Sequence, residues 1–116
     1  MSIQRFGVGP RMSKAVAHGS LVFLAGQVAD KAKGQSVTEQ TKDILGQIDA
    51  ILKDAGTDKT KLISANIWLA DMSTFAEMNA VWDGWVSQGN TPARATVEAK
   101  LAAPEYTVEI AVIAAR

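Results

Sequence analysis

The stretch "SVTEQTKDILGQIDAILKDAGTDKTKLISANIWLA" (36–70) carries two different periodicities side by side. In its first half Val37, Thr41, Ile44, Leu45, Ile48, Leu52 and Ala55 recur at the spacing of one helix face. Ser36 followed three residues later by Glu39 is the pattern of a capping box, and Gly56 stands where a helix-ending glycine belongs. The spacing therefore predicts a helix from about Val37 to Ala55. The second half, "KLISANIWLA" (61–70), is rich in branched and aromatic residues and predicts a strand.

The pattern then repeats. A second helix is predicted to open near Ser73 or Thr74, with Glu77 three residues after the latter. Phe75, Met78, Trp82, Trp85 and Val86 form its apolar stripe, and Gly89-Asn90 its end. Upstream, "IQRF" (3–6) and "MSKAVAHGSLVFLAGQV" (12–28) predict strands, with His18-Gly19 as the turn between Ala17 and Ser20. The run "LVFLAGQV" (21–28) is nearly all apolar, as in an interior strand covered on both faces, and residues 30–35 form a polar loop. Two strands close the chain, 93–101 and 106–114, around the turn "AAPE" (102–105).

The predicted order is βββαβαββ: an α+β sandwich with a mixed sheet and both helices on one sheet face, in a single domain over residues 1–116. The other face would carry Phe23, Ala25 and Trp68 or their alternating neighbours. That much apolar surface calls for a partner, most simply further copies of the chain.

Composition narrows the classes of function. Twelve basic and twelve acidic residues cancel, and the cations are scattered, so a nucleic-acid or membrane partner is not expected. Cysteine is absent, which excludes disulfides, thiolate nucleophiles and Cys-based metal sites. The start "MSIQRFGVGP" lacks the apolar run of a signal peptide, and no window reaches transmembrane length. A soluble cytoplasmic protein is the expectation. His18, the sole histidine, is placed in a turn without a second ligand at helical spacing, so neither a catalytic triad nor a metal site is expected. The Trp82/Trp85 pair reads as core rather than as a stacking platform.

Two charges in strands stand out. In "TPARATVEAKL" (91–101), Arg94, Thr96, Glu98 and Lys100 alternate with Ala95, Val97, Ala99 and Leu101, the period of a strand with one covered face. Arg94 is either a solvated charge at a strand end or a fork for a carboxylate. Glu109 alternates against Val108, Ile110 and Val112 in the last strand. An unpaired carboxylate there is costly, so it is either half of a structural ion pair or an acid/base or water-positioning group.

The blocks "GPRMSKAV" (9–16), "VFLAGQVA" (22–29), "ANIWLADMSTFAEMNAVWDGW" (65–85), "PARATVEAKL" (92–101) and "VEIAVIA" (108–114) together resemble the reactive intermediate deaminase family, also called Rid or YjgF, from about residue 8 to the end. The resemblance implies a chorismate-mutase-like fold assembled as a homotrimer, with small-molecule sites between subunits. Members that keep the arginine hydrolyse 2-imino acids, or their enamine tautomers, to 2-keto acids and ammonia, and need no metal or cofactor. By the same resemblance Arg94 would bind the substrate carboxylate and Glu109 would position or activate water. Gly26 would line the pocket with its backbone, and Asn79 would reach the site from the second helix. The chain departs from the family at two places. Arg11 or Met12 stands where many members have tyrosine, and Thr96 stands two after the arginine, where a small polar residue or cysteine is usual. The rival to an imine deaminase is a trimer that binds small carboxylates or carbonyl compounds without turnover. A ribonuclease activity fits poorly with zero net charge and one histidine.

Overall fold

The computed structural model describes residues 2–116. One sheet contains β1 (Ile3–Val8), β2 (Ser13–His18), β3 (Leu21–Leu24), β4 (Gln27–Val28), β5 (Leu62–Leu69), β6 (Ala93–Glu98) and β7 (Val108–Ala115). The strand order is β1-β2-β3-β7-β5-β6, with β4 also pairing with β7. All pairings are antiparallel except β5 with β6, which α2 (Phe75–Trp85) connects as a crossover. With α1 (Val37–Asp54), this is the α+β architecture expected, a mixed sheet under two helices.

Alternation along the strands separates the two faces. Ala15, Ala17, Val22, Leu24, Ala65, Ile67, Leu69, Val108, Ile110 and Val112 are buried in a common cluster with Ile44, Ile48 and Leu52 of α1 and with Met78 and Trp82 of α2. Cross-strand partners share a face. Phe23 with Ile113, Ala111 with Asn66, and Glu109 with Trp68 and then Val97 therefore lie on the side away from the helices.

Local chemistry sets the ends of α1. Ser36 Oγ accepts from Glu39 N–H at 3.2 Å, while the Glu39 carboxylate turns to Lys42 at 3.8 Å, so only half of the capping box forms. At the other end Thr57 N–H bonds Leu52 O and Gly56 N–H bonds Lys53 O, with Gly56 at φ +82°. That is a Schellman close, which needs the left-handed conformation glycine adopts without strain.

Four expectations are corrected. The run 21–28 is two short strands broken at Ala25-Gly26, and Leu21 and Phe23 are 37 % and 42 % exposed, because the helices cover only one face. The hairpin turn is Gly19-Ser20, one residue later than expected: His18 pairs with Leu21, and Gly19 takes φ +61° at the first turn position. α2 ends at Trp85, before Gly89-Asn90. Val86 leaves the helix with ψ 141°, buries its side chain, and Gly89 serves the following turn at φ +84°. Its start lies where expected, at Phe75 with Thr74 as N-cap, but Thr74 makes no side-chain cap bond. Asp71 caps a 3-10 turn at Met72–Thr74, and Glu77 accepts from Thr38 N–H and Oγ at 2.9 Å each, tying α2 to the first turn of α1. Finally, the last strands run 93–98 and 108–115, shorter and shifted against expectation.

The fully buried Gln40 holds the segment leading into β7. Its Nε2 donates to Gln35 O and Glu105 O at 2.9 and 2.8 Å, and its Oε1 accepts from Thr107 N–H at 3.0 Å. Asp43 fixes the loop after β4 by accepting from Asp30 N–H and Ala32 N–H at 2.7 and 2.9 Å. Burial pushes its carboxyl up, but hydrogen bonds from Ala32, Gln47 and Asp30 and the charge of Lys31 outweigh that and hold it below the ordinary aspartate value. Gln40 thus anchors the strand that carries Glu109, and Asp43 the loop after its β4 neighbour. Among the described residues, no helix is long and apolar enough to cross a membrane.

Candidate functional site

The sequence alternation in β6 left open which side is covered. It is the polar side. β6 pairs in parallel with β5 so that Arg94 lies beside Ala65 and Thr96 beside Ile67, two buried residues of the helix-facing side. Arg94 and Thr96 are half-buried under α2, whereas Ala93, Ala95 and Val97 are exposed on the open face.

Under α2 the Arg94 guanidinium lies 5.4 Å from the Trp82 ring centroid and 5.8 Å from that of Phe75. Both distances are within cation–π range. Phe75, Asn79 and Trp82 are spaced i, i+4, i+7 and so form one stripe of the helix. Asn79 Oδ1 and Thr96 Oγ1 are buried, and neither has a hydrogen-bond partner. Such atoms cost about 1–3 kcal/mol each when left unpaired. No carboxylate lies within ion-pair reach of Arg94 among the described residues.

Glu109 is elsewhere. It sits half-buried on the open face, between Val28 of β4 and Trp68 of β5. Its carboxylate is folded against Gly26: a Cβ built on Gly26 would stand 2.1 Å from Glu109 Oε2. Only glycine leaves that space. The break between β3 and β4 falls at Ala25-Gly26 and exposes this backbone, and Ala25 N–H bonds Lys14 O at 2.9 Å. That link brings the β1–β2 turn toward the same end of the open face. Arg11 and Met12 occupy that turn and are both exposed.

One chain thus groups the expected residues in two sets. Arg94, Thr96 and Asn79 lie on the helix side of the edge strand; Glu109 and Gly26 lie on the open face, with Arg11 and Met12 at the neighbouring turn. The sheet separates Arg94 from Glu109, so the two are not an ion pair within the chain. Trp82 is the core residue the spacing indicated, and its ring and that of Phe75 also lie over Arg94, which the sequence reading did not signal. Among the described residues, no group of three or more His, Asp or Glu side chains is placed to hold a metal ion.

Known proteins match along the whole chain. The family described as Endoribonuclease L-PSP matches residues 3–116. A RutC family protein of Haemophilus influenzae is 46% identical over 114 residues, covering 98% of both chains. The RutC family protein YoaB of Escherichia coli is 41% identical over 115 residues, covering 99% of both. The crystal structure of a YjgF family member from Neisseria meningitidis superimposes with a TM-score of 0.97 at 49% identity, covering 100% of this chain and 96% of that one. The chain belongs to the YjgF/RutC family. Its fold is the YjgF fold, with Arg94 on the edge strand and Glu109 on the open face.

Proposed function

We propose that the protein hydrolyses reactive 2-imino acids, or their enamine tautomers, to 2-keto acids and ammonia, at sites formed between copies of the chain in a homotrimer. The observation that carries this is the placing of Arg94 and Glu109 on opposite sides of one sheet, each without a charged partner. Arg94 lies on an edge strand, and Glu109 lies among apolar residues of an open face that includes Phe23, Ile113 and Trp68. Packing the edge of one copy against the open face of the next covers the apolar surface and joins the half-sites in one operation.

The chemistry asks little of the protein. Arg94 takes the substrate carboxylate with its forked N–H edge. Glu109 holds a water, which adds across the C=N bond; the carbinolamine then expels ammonia and leaves the ketone. Thr96 and Asn79 offer polar partners beside the held carboxylate, and the Gly26 backbone gives the Glu109 carboxylate its space. Arg11 or Met12 puts a cation or a thioether where many members have a phenol, which shifts the preference among substrate side chains.

The direct test is ammonia release from 2-iminopropionate generated in situ. Glu109→Gln is expected to retain carboxylate binding while slowing turnover by about 10²–10⁴-fold, the usual contribution of a positioned acid/base group. Gly26→Ala is expected to displace the same carboxylate and cost on the order of 10²-fold, as misplacement by about 1 Å does. Tight carboxylate binding with no ammonia release by the unaltered protein would favour the binding module instead. Full activity in Gly26→Ala would show that the position of Glu109 against the backbone is immaterial.

A further inference from the structure

We propose that Phe75, together with Trp82, is a positioning residue whose ring face holds the Arg94 guanidinium and leaves its N–H edge free. This rests on the carboxylate-clamp assignment of Arg94 and adds a means of holding that residue. An arginine that must be rigid is commonly fixed by a carboxylate, which neutralises it and occupies the fork that a ligand needs. Here no carboxylate is in reach, and two aromatic rings stand within 6 Å of the guanidinium carbon, at 5.4 Å and 5.8 Å. Stacking restrains the plane, keeps the full positive charge, and consumes none of the five N–H donors. Asn79 Oδ1 and Thr96 Oγ1, both buried and unpartnered, share the same side of the sheet and do not bind the guanidinium either. The rings are the groups that hold it.

The roles of the two rings are separable. Trp82 is 5 % exposed and belongs to the core, so its removal affects folding as well as the clamp. Phe75 is 39 % exposed at the first residue of α2, and its ring can be changed with little loss of packing. Phe75→Leu keeps apolar bulk and removes the π face, whereas Phe75→Tyr keeps the π face. With a partly exposed cation–π contact, Phe75→Leu is expected to weaken binding of 2-oxobutanoate about two- to fivefold, and Phe75→Tyr to restore it.

Two readouts on the full-length protein decide the matter. Calorimetric titration with 2-oxobutanoate gives affinity, and the NMR signal of the Arg94 side-chain Nε–H, assigned from its loss in Arg94→Gln, reports the ring over the guanidinium. The expected result is weaker binding and a displaced Nε–H signal in Phe75→Leu, with both returned by Phe75→Tyr. Unchanged affinity in Phe75→Leu overturns the proposal. So does a loss of affinity with an unmoved Nε–H signal, which would mean that Phe75 touches the ligand or acts through packing alone. If the unaltered protein does not bind 2-oxobutanoate, the clamp assignment fails separately. The Nε–H signal then decides the ring contact alone, and an unmoved signal in Phe75→Leu overturns it.

Discussion

Arg94→Ala is expected to abolish imine hydrolysis while leaving the fold and the assembly intact. A hydrogen bond to a charged group contributes about 1.5–3 kcal/mol, and a forked guanidinium–carboxylate pair makes two, so the loss should be about 10²–10⁴-fold in kcat/KM. Lysine reaches the same region with a point charge and no planar fork, so Arg94→Lys should recover little. Stability should change by only about 1–2 kcal/mol, because the lost contacts inside the chain are two cation–π contacts and no ion pair is broken. Unfolding curves and ammonia release measured on the same preparation check both halves. An unfolded variant, or one with near-normal activity, would remove Arg94 from the ligand site.

Trp82→Ala should act in the opposite way, on stability first. The side chain is 5 % exposed, packs in the central cluster, and meets the Trp85 ring at 5.4 Å between centroids. Truncating a large buried aromatic residue costs about 3–5 kcal/mol, through lost burial and the cavity left behind. Trp85, half-buried and donating to Asp49 at 3.0 Å, should cost less. Any Trp82→Ala protein that still folds should also bind carboxylates more weakly, since Arg94 has lost its floor. A stability loss below about 1 kcal/mol in denaturant titration would place Trp82 outside the core.

What was legible in the sequence was the part governed by neighbours along the chain. Ser36 and Gly56 carry the chemistry of a helix start and stop within a few residues, and the helix begins and ends with them. The period of two in β7 likewise gave the alternation that separates the faces. Long-range register was not legible. Whether Arg94 or Ala95 faces the helices is decided by parallel pairing with Ala65 and Asn66, which no local pattern encodes. The split at Ala25-Gly26 escaped notice for a related reason. An apolar run looks continuous, whereas the Glu109 carboxylate that lies against Gly26 at the break comes from β7, far along the chain. Gly89 and Glu77 show that a residue with the right local chemistry can be claimed by another partner: a following turn in one case, the N-terminus of α1 in the other.

The same register places Arg94 and Glu109 on opposite sides of a sheet, and from it comes the central claim that a working site needs two copies of the chain. Subunit mixing tests it. Arg94→Ala and Glu109→Gln are each expected to be inactive alone, but equal amounts unfolded and refolded together should form interfaces pairing an intact Arg94 with an intact Glu109. Random assembly in a closed ring would make about a quarter of the sites complete. Imine hydrolysis returning to about that fraction of the unaltered protein's rate is the predicted result. A mixture as inactive as its components would contradict a site shared between copies.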